Sequence, residues 1–165
     1  MNQQSIRIRP LTMDDFSFVL DWSKDESFCR ANDWQLNRNE EELFKWWHHC
    51  VNYDAQDFIR WGIEYNEKII GYVDLAFIQE NTAELGIAIG DSKIWGRGIG
   101  YTAALHTMDY GYKNLEIKIF EAETHEDNIR SQRLLKKLGF KEMSRNGYEE
   151  YLGRKNQLIQ YRVVL

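Results

Sequence analysis

Three glycines alternate in the segment Trp95-Gly96-Arg97-Gly98-Ile99-Gly100, which lies between a strand pattern and a helix pattern. Glycine lets the backbone turn tightly and lets a ligand approach without interference from a Cβ atom. A helix that begins here presents free backbone N–H groups and the positive end of its dipole. Together these features predict a cradle for a phosphate or pyrophosphate group.

Two other interpretations of this loop stay open. The segment Gly98-Ile-Gly100-Tyr-Thr-Ala103 also satisfies the relaxed dinucleotide-binding pattern, and Glu121 follows at about the distance of a ribose-binding carboxylate. However, residues 90–94 separate the loop from the preceding strand, whereas a dinucleotide loop follows its strand directly. The third interpretation is a glycine-rich turn with a purely structural role.

A second motif follows a later strand pattern and runs from Asn128 to Phe140: Asn-Ile-Arg-Ser-Gln-Arg-Leu-Leu-Lys-Lys-Leu-Gly-Phe. A glycine-rich loop followed by N-x-x-S and then K-L-G-F resembles the GNAT superfamily of acyl-CoA-dependent N-acyltransferases. The predicted order of elements is similar to that family along nearly the whole chain. The segment W-G-R-G most resembles the branch with ribosomal-protein N-terminal, polyamine and aminoglycoside acetyltransferases.

The resemblance implies how acetyl-CoA, the acetyl donor, is held. Backbone N–H groups of the loop would bind the pyrophosphate. Backbone groups of the preceding strand would pair with the pantetheine arm like an added strand, and two side chains of the second motif would hydrogen-bond the arm. The implied binding residues are Ile87, Ala88, Ile89, Trp95, Gly96, Arg97, Gly98, Ile99, Gly100, Tyr101, Asn128 and Ser131. Candidates for the 3′-phosphate are Arg97, Arg133, Lys136 and Lys137.

The chain departs from the family pattern at two positions. Trp95 stands where the family has Gln or Arg, so one side-chain contact to phosphate is lost and a stacking or packing role is expected. Leu135 stands where many members carry a tyrosine that protonates the departing thiolate. A thiol with a pKa of about 8.5 can leave as the thiolate, so activity is still expected.

The resemblance also implies direct attack of a primary amine on the thioester in a ternary complex. A free aliphatic amine has a pKa of about 10.4, so a base must remove a proton. Glu84 is the candidate base, and Asp74 and Glu64 are lesser candidates. The candidate oxyanion donor is a backbone N–H near Ile87 or Ala88, with Ala88 preferred. The alternative is a non-catalytic CoA-binding sensor or scaffold of the same fold.

The acceptor is expected to be a small cationic molecule or the N-terminus of a protein. Five of the six tryptophans lie in residues 1–61, where the family's first helices cover the acceptor site. Aromatic rings with acidic neighbours suit a cation, and Phe28 and Trp34 are the candidate substrate contacts. His48 and His49 are adjacent on a helix pattern and cannot share one ligand face, so no metal is expected.

Composition bounds the remaining possibilities. The 165 residues are 43% hydrophobic and 28% charged, which predicts one folded domain over residues 1–165. No apolar run approaches a membrane span and no secretory signal is visible, so a cytoplasmic protein with two reduced cysteines is expected. The net charge of −5 argues against nucleic acid as a partner. Either a monomer or a homodimer is compatible with the sequence.

The predicted elements position these residues. Strands are predicted over residues 5–11, 58–64, 68–78, 83–89, 116–124, 141–152 and 157–164, and helices over 12–24, 39–51, 100–113 and 128–138. This order predicts an α/β fold of the α+β type. We expect a mixed, mostly antiparallel sheet with helices on both faces. The resemblance adds a central parallel pair that splays apart.

Overall fold

Residues 5–165 are described by a computed structural model, in which eight strands form a mixed sheet. The strands are β1 (Ile6–Arg9), β2 (Ile59–Tyr65), β3 (Lys68–Gln79), β4 (Thr82–Ile89), β5 (Ile119–His125), β6 (Lys141–Ser144), β7 (Tyr148–Tyr151) and β8 (Arg154–Val164). Their spatial order is β1-β2-β3-β4-β5-β8-β6, and β7 pairs with β8.

Within residues 5–165, five α-helices connect these strands: α1 (Phe16–Trp22), α2 (Glu26–Asn32), α3 (Glu40–Asn52), α4 (Ile99–Asn114) and α5 (Ile129–Lys137). Local capping explains where several of them begin. The Asn39 side chain accepts a hydrogen bond from the Glu42 N–H at 3.1 Å, and the Asn128 side chain accepts one from the Ser131 N–H at 3.1 Å. Both starts therefore agree with the predicted ones.

The pairing between β4 and β5 is parallel and short, whereas the other strand pairs are antiparallel. In the described chain it consists of three residue pairs, from Thr82 with Ile119 to Glu84 with Glu121. Beyond Glu84 the two strands separate. The predicted splayed parallel pair in the centre of a mixed sheet is therefore confirmed.

Helices cover both faces of the sheet. Successive residues of a strand point to opposite faces. On β3, Tyr72 packs with the core of α1, α2 and α3, while its neighbour Val73 packs with Ile99 and Ala103 of α4. Helix α5 contacts both α4 and β5. The first three helices thus lie on one face and α4 on the other, as the α/β fold class predicted.

Several boundaries differ from the sequence-based prediction. A hairpin turn at Asn66 and Glu67 joins β2 to β3, and both residues have positive φ, as a type I′ turn requires. Helix α2 was not predicted, although Asp25 caps it by accepting a hydrogen bond from the Phe28 N–H at 3.0 Å. The predicted strand over 141–152 is two strands, because the chain turns at Gly147, where φ is +90°. Strand β8 begins at Arg154, earlier than predicted.

Candidate functional site

The separation of β4 from β5 opens a cavity of about 670 Å³ in the middle of the sheet. Residues Leu85–Ile89 line one side and residues Ala122–His125 line the other. The glycine-rich loop, the start of α4 and the α5 segment close the remaining sides. The two sequence motifs, about thirty residues apart, therefore meet at one opening.

The hydrogen-bonding alternation of β4 decides which backbone groups face the cavity. The Gly90 N–H donates to the Ile70 carbonyl at 2.7 Å, and the register pairs Tyr72 with Ala88. Because hydrogen-bonded and non-hydrogen-bonded pairs alternate in an antiparallel ladder, the Ala88 N–H points toward β3. The expectation that Ala88 donates to an oxyanion is therefore wrong. The N–H groups of Ile87 and Ile89 point into the gap instead.

The glycine-rich loop has a backbone conformation that leaves open space at two of its glycines. Gly96 and Gly98 have φ values of +79° and +81°, which side-chain-bearing residues rarely adopt, and no atom lies within 4 Å of a Cβ built on either. Gly98 is the N-cap of α4, so the first N–H groups of that helix open onto the cavity. These residues fit a pyrophosphate. Of the predicted loop contacts, Arg97 does not line the cavity, while Trp95, Gly96, Gly98, Ile99, Gly100 and Tyr101 do.

Asn128 and Ser131 line the cavity from the start of α5. The side-chain oxygen of Asn128 already accepts a hydrogen bond from the Ser131 backbone N–H, which caps α5. The Asn128 amide nitrogen and the Ser131 hydroxyl have no hydrogen bond to other described residues. Both groups are thus free to contact a ligand.

Cations from α5 lie against aromatic rings at the mouth of the cavity. The Arg130 guanidinium lies 3.4 Å from the centroid of the Trp95 ring, and the Lys137 ammonium lies 4.2 Å from that of Tyr101. All four residues line the cavity, as does Arg133. The sequence analysis did not identify Arg130, whose partner Trp95 is distant along the chain. The mouth is therefore basic, which suits an anionic ligand.

Carboxylates gather at the opposite, closed end of the gap. Glu84 pairs in register with Glu121 where the parallel ladder ends, and neither of these two residues lines the cavity, whereas Glu123 does. Burial raises the pKa of Glu84, and the charges of Glu123 and Glu121 raise it further. Glu121 accepts a hydrogen bond from Arg162 and Glu123 accepts one from Gln160, each at 2.8 Å. Glu84 has no such partner in the described chain. Sequence reasoning did not identify Glu123.

The other candidate bases are held in ion pairs. Both carboxylate oxygens of Asp74 lie 2.7 Å from nitrogens of the Arg60 guanidinium. Glu64 accepts a hydrogen bond from Arg9 at 2.6 Å and pairs with Arg7 at 3.0 Å. The hydrogen bond from Arg9 lowers the pKa of Glu64, which makes Glu64 a weaker proton acceptor than Glu84.

The two predicted substrate contacts lie beside the cavity and do not line it. Phe28 is completely buried, so the structure gives it a packing role and no surface for a ligand. Trp34 is half-buried, and its ring lies 4.9 Å from Phe28 and 5.1 Å from Trp46. The part of α2 that reaches the cavity is its end, at Ala31 and Asn32.

Leu135, which stands where many family members carry a tyrosine, lies in apolar surroundings. Leu135 lines the cavity and is 5% exposed. His125, a titratable group to which the sequence analysis assigned no role, also lines it. The His125 ring stacks on Tyr151 at 4.4 Å, and its Nε2 lies 2.9 Å from Glu149.

Two features are absent from residues 5–165: a metal-binding cluster and a membrane-spanning helix. Within that range no three His, Cys, Asp or Glu side chains are grouped so that they could hold a metal ion. No helix of the same range has the length and apolar character needed to cross a membrane.

Comparisons with known proteins agree with this geometry. A family model described as an acetyltransferase (GNAT) domain matches residues 5–141. An uncharacterized protein of Methanocaldococcus jannaschii is 26% identical over 152 residues, which are 89% of this chain and 30% of that protein. An N-acetyltransferase 9-like protein of Caenorhabditis briggsae is 33% identical over 137 residues, which are 74% of this chain and 68% of that protein. The chain thus spans less than a third of the archaeal relative.

Solved structures share the fold over nearly the full length. A RimL ribosomal L7/L12 alpha-N-protein acetyltransferase in complex with CoA superposes with a TM-score of 0.85 at 17% identity, covering 99% of this chain and 96% of that one. A spermidine N-acetyltransferase from Vibrio cholerae, in complex with CoA and spermine, gives 0.79 at 21% identity with the same coverages. At these identities the likeness concerns the fold.

Proposed function

Because the chain belongs to the GNAT acetyltransferase family, we propose that it transfers the acetyl group of acetyl-CoA to a primary amine. The amine attacks the thioester directly while both substrates are bound. One observation carries this proposal: the parallel pairing of β4 and β5 ends at Glu84, and beyond it both strands, the glycine-rich loop and Asn128 line the same cavity. Such a cavity accommodates an extended molecule with an anionic end.

The donor would enter by the basic mouth. The N–H groups at the start of α4 bind the pyrophosphate, and the Asn128 amide and Ser131 hydroxyl contact the arm. The backbone groups of Ile87 and Ile89 that face the gap pair with the arm as a missing strand would. In this arrangement the Ile87 N–H stabilises the negative charge that develops on the thioester oxygen.

The acceptor would meet the thioester at the closed end. Glu84 is the proposed base, because it lacks an ion-pair partner among the described residues and its raised pKa makes it a better proton acceptor than an ordinary glutamate. Glu123 and Glu121 add negative charge beside it, which favours a cationic acceptor. A spermidine acetyltransferase and a ribosomal-protein acetyltransferase share this fold. A small polyamine-like cation or a protein N-terminus is therefore the proposed acceptor.

The test is thiol release from acetyl-CoA, read with a thiol-reactive dye, against spermidine, aminoglycosides and short peptides with free N-termini. Release that depends on one class of amine, and that falls in the Glu84→Gln variant, is expected. The matched control is Glu150→Gln, which removes the same charge from an exposed position on β7. CoA binding without release for any amine would favour the non-catalytic CoA-binding module. Absence of CoA binding would refute the proposal.

A further inference from the structure

The loop that would bind the pyrophosphate lacks a cation at its first position, where Trp95 stands. Two phosphates carry two negative charges, and backbone N–H groups with a helix dipole supply only partial positive charge. A formal positive charge close to the loop would therefore strengthen binding considerably. The described residues at the mouth offer three cations for this purpose, on Arg130, Arg133 and Lys137.

Arg130 is the cation placed against the loop itself. Its guanidinium lies over the Trp95 ring, 3.4 Å from the centroid, and Trp95 directly precedes Gly96. The ring is fixed in turn, because its Nε1–H donates to the Ile89 carbonyl at 2.9 Å. Lys137 lies over Tyr101, which follows the loop at its other end, so the two cations flank the loop and Arg130 is the one beside its first position.

Arg130 also lacks a counter-charge. Among residues 5–165 no carboxylate forms an ion pair or hydrogen bond with its guanidinium. Desolvation lowers the pKa of this arginine, although the residue remains accessible from outside. A guanidinium that stacks on an aromatic ring keeps its in-plane N–H groups available to donate to carboxylate or phosphate oxygens. The guanidinium is therefore available to bind an anion from outside the chain.

We propose that Arg130, supported by the Trp95 ring, binds the pyrophosphate of the acyl donor and replaces the cation absent from the first position of the loop. This inference rests on the proposed function, since it assigns a residue to the same donor site. It gives Trp95 a specific role as the platform that orients the guanidinium. Helix α5 thereby contributes charge as well as the Asn128 and Ser131 contacts.

The test is calorimetric titration of CoA and of dephospho-CoA, which lacks the 3′-phosphate, into wild-type protein and variants. Arg130→Gln should weaken both ligands equally, by about 10- to 100-fold, as expected for the loss of a charge-assisted hydrogen bond. The affinity of Arg130→Lys should lie between those of the wild type and Arg130→Gln, because lysine keeps the charge and lacks the planar guanidinium. The control Arg30→Gln removes an exposed arginine of α2 and should bind as the wild type does.

A double-mutant cycle tests the platform. Trp95→Leu should weaken CoA binding, and combining it with Arg130→Gln should add little, because both remove the same contact. Full additivity would contradict a shared role.

Unchanged binding in Arg130→Gln would overturn the inference and leave the proposed function intact. If Arg130→Gln weakened the binding of CoA but not of dephospho-CoA, Arg130 would be assigned to the 3′-phosphate and the pyrophosphate assignment would be overturned. A wild-type protein that binds no CoA would remove both proposals.

Discussion

At the scale of single residues, the chemistry depends on how three carboxylates share one end of the gap. Glu121 and Glu123 are tied to β8 by Arg162 and Gln160, so their charges are fixed in place. Glu84 receives their repulsion without a compensating partner among the described residues. Under the proposed function this asymmetry would divide the roles: two glutamates set the local electrostatic potential, and Glu84 accepts the proton.

The pH dependence of the reaction should report this arrangement. Glu84 must be ionised to act as a base, so activity falls as the pH drops through its raised pKa. Glu123→Gln removes one repelling charge and lowers that pKa, so the acid limb of kcat/KM should move to lower pH. Glu84→Gln should abolish the limb and reduce the rate about 10²- to 10⁴-fold.

The measurement is a pH–rate profile for the three proteins with the best amine. An acid limb that persists unchanged in Glu84→Gln would assign the base elsewhere, with Glu123 as the first alternative because it lines the cavity. A limb that moves upward in Glu123→Gln would contradict the sign of the interaction.

At the scale of elements, the close approach of β3 to β4 fixes the wall of the cavity. A Cβ atom on Gly71 would lie 2.1 Å from the Ala88 carbonyl oxygen, and backbone atoms cannot yield easily. A Cβ atom on Gly86 of β4 would meet Asp74 at an ordinary 3.6 Å. A side chain at Gly71 is therefore expected to destabilise the fold, whereas one at Gly86 is expected to be tolerated.

Gly71→Ala should lower the free energy of unfolding by about 1–3 kcal/mol or more, as overpacking does. Gly86→Ala should stay within about 0.5 kcal/mol of the wild type. Urea unfolding followed by circular dichroism measures both. Equal midpoints for Gly71→Ala and the wild type would show that β3 and β4 can separate at little cost, and the cavity wall would then be less fixed than described.

Elements with strong local patterns were predictable from the sequence, and α2 was not. Helix α3 has a cap at Asn39 and three glutamates in its first turn, and both features are local. Helix α2 has seven residues, of which only Phe28 and Cys29 are buried, too few to create a visible period. The glycine-rich loop and Asn128, which line one cavity, were recognisable in the sequence because each belongs to a contiguous motif.

Contacts that depend on tertiary structure were beyond the sequence. Arg130 gains its significance from Trp95, which precedes it by a helix and a strand. Glu123 joins Glu84 only because β4 and β5 are neighbours in the sheet. The preference for Ala88 over Ile87 failed for the same reason, since the hydrogen-bonding alternation of β4 depends on its register with β3.

At the scale of the whole molecule, donor binding should stabilise the fold. A ligand present at 100 times its dissociation constant adds about 2.7 kcal/mol, which for a domain of this size raises the melting temperature by about 5–11 °C. Thermal unfolding with CoA and with NAD, at equal concentrations, provides the measurement. A shift with NAD and none with CoA would support the dinucleotide interpretation of the loop.

The sheet is in effect two half-sheets, β1–β4 and β5–β8, whose direct ladder consists of three described residue pairs. Amide protons that face the gap, such as those of Ile87 and Ile89, have no strand opposite them and should exchange rapidly with deuterated solvent. A donor lying along the gap would cover them and connect the halves. The cosubstrate would then act as an internal cross-link between the two half-sheets, and exchange at Ile87 and Ile89 should slow when CoA is added.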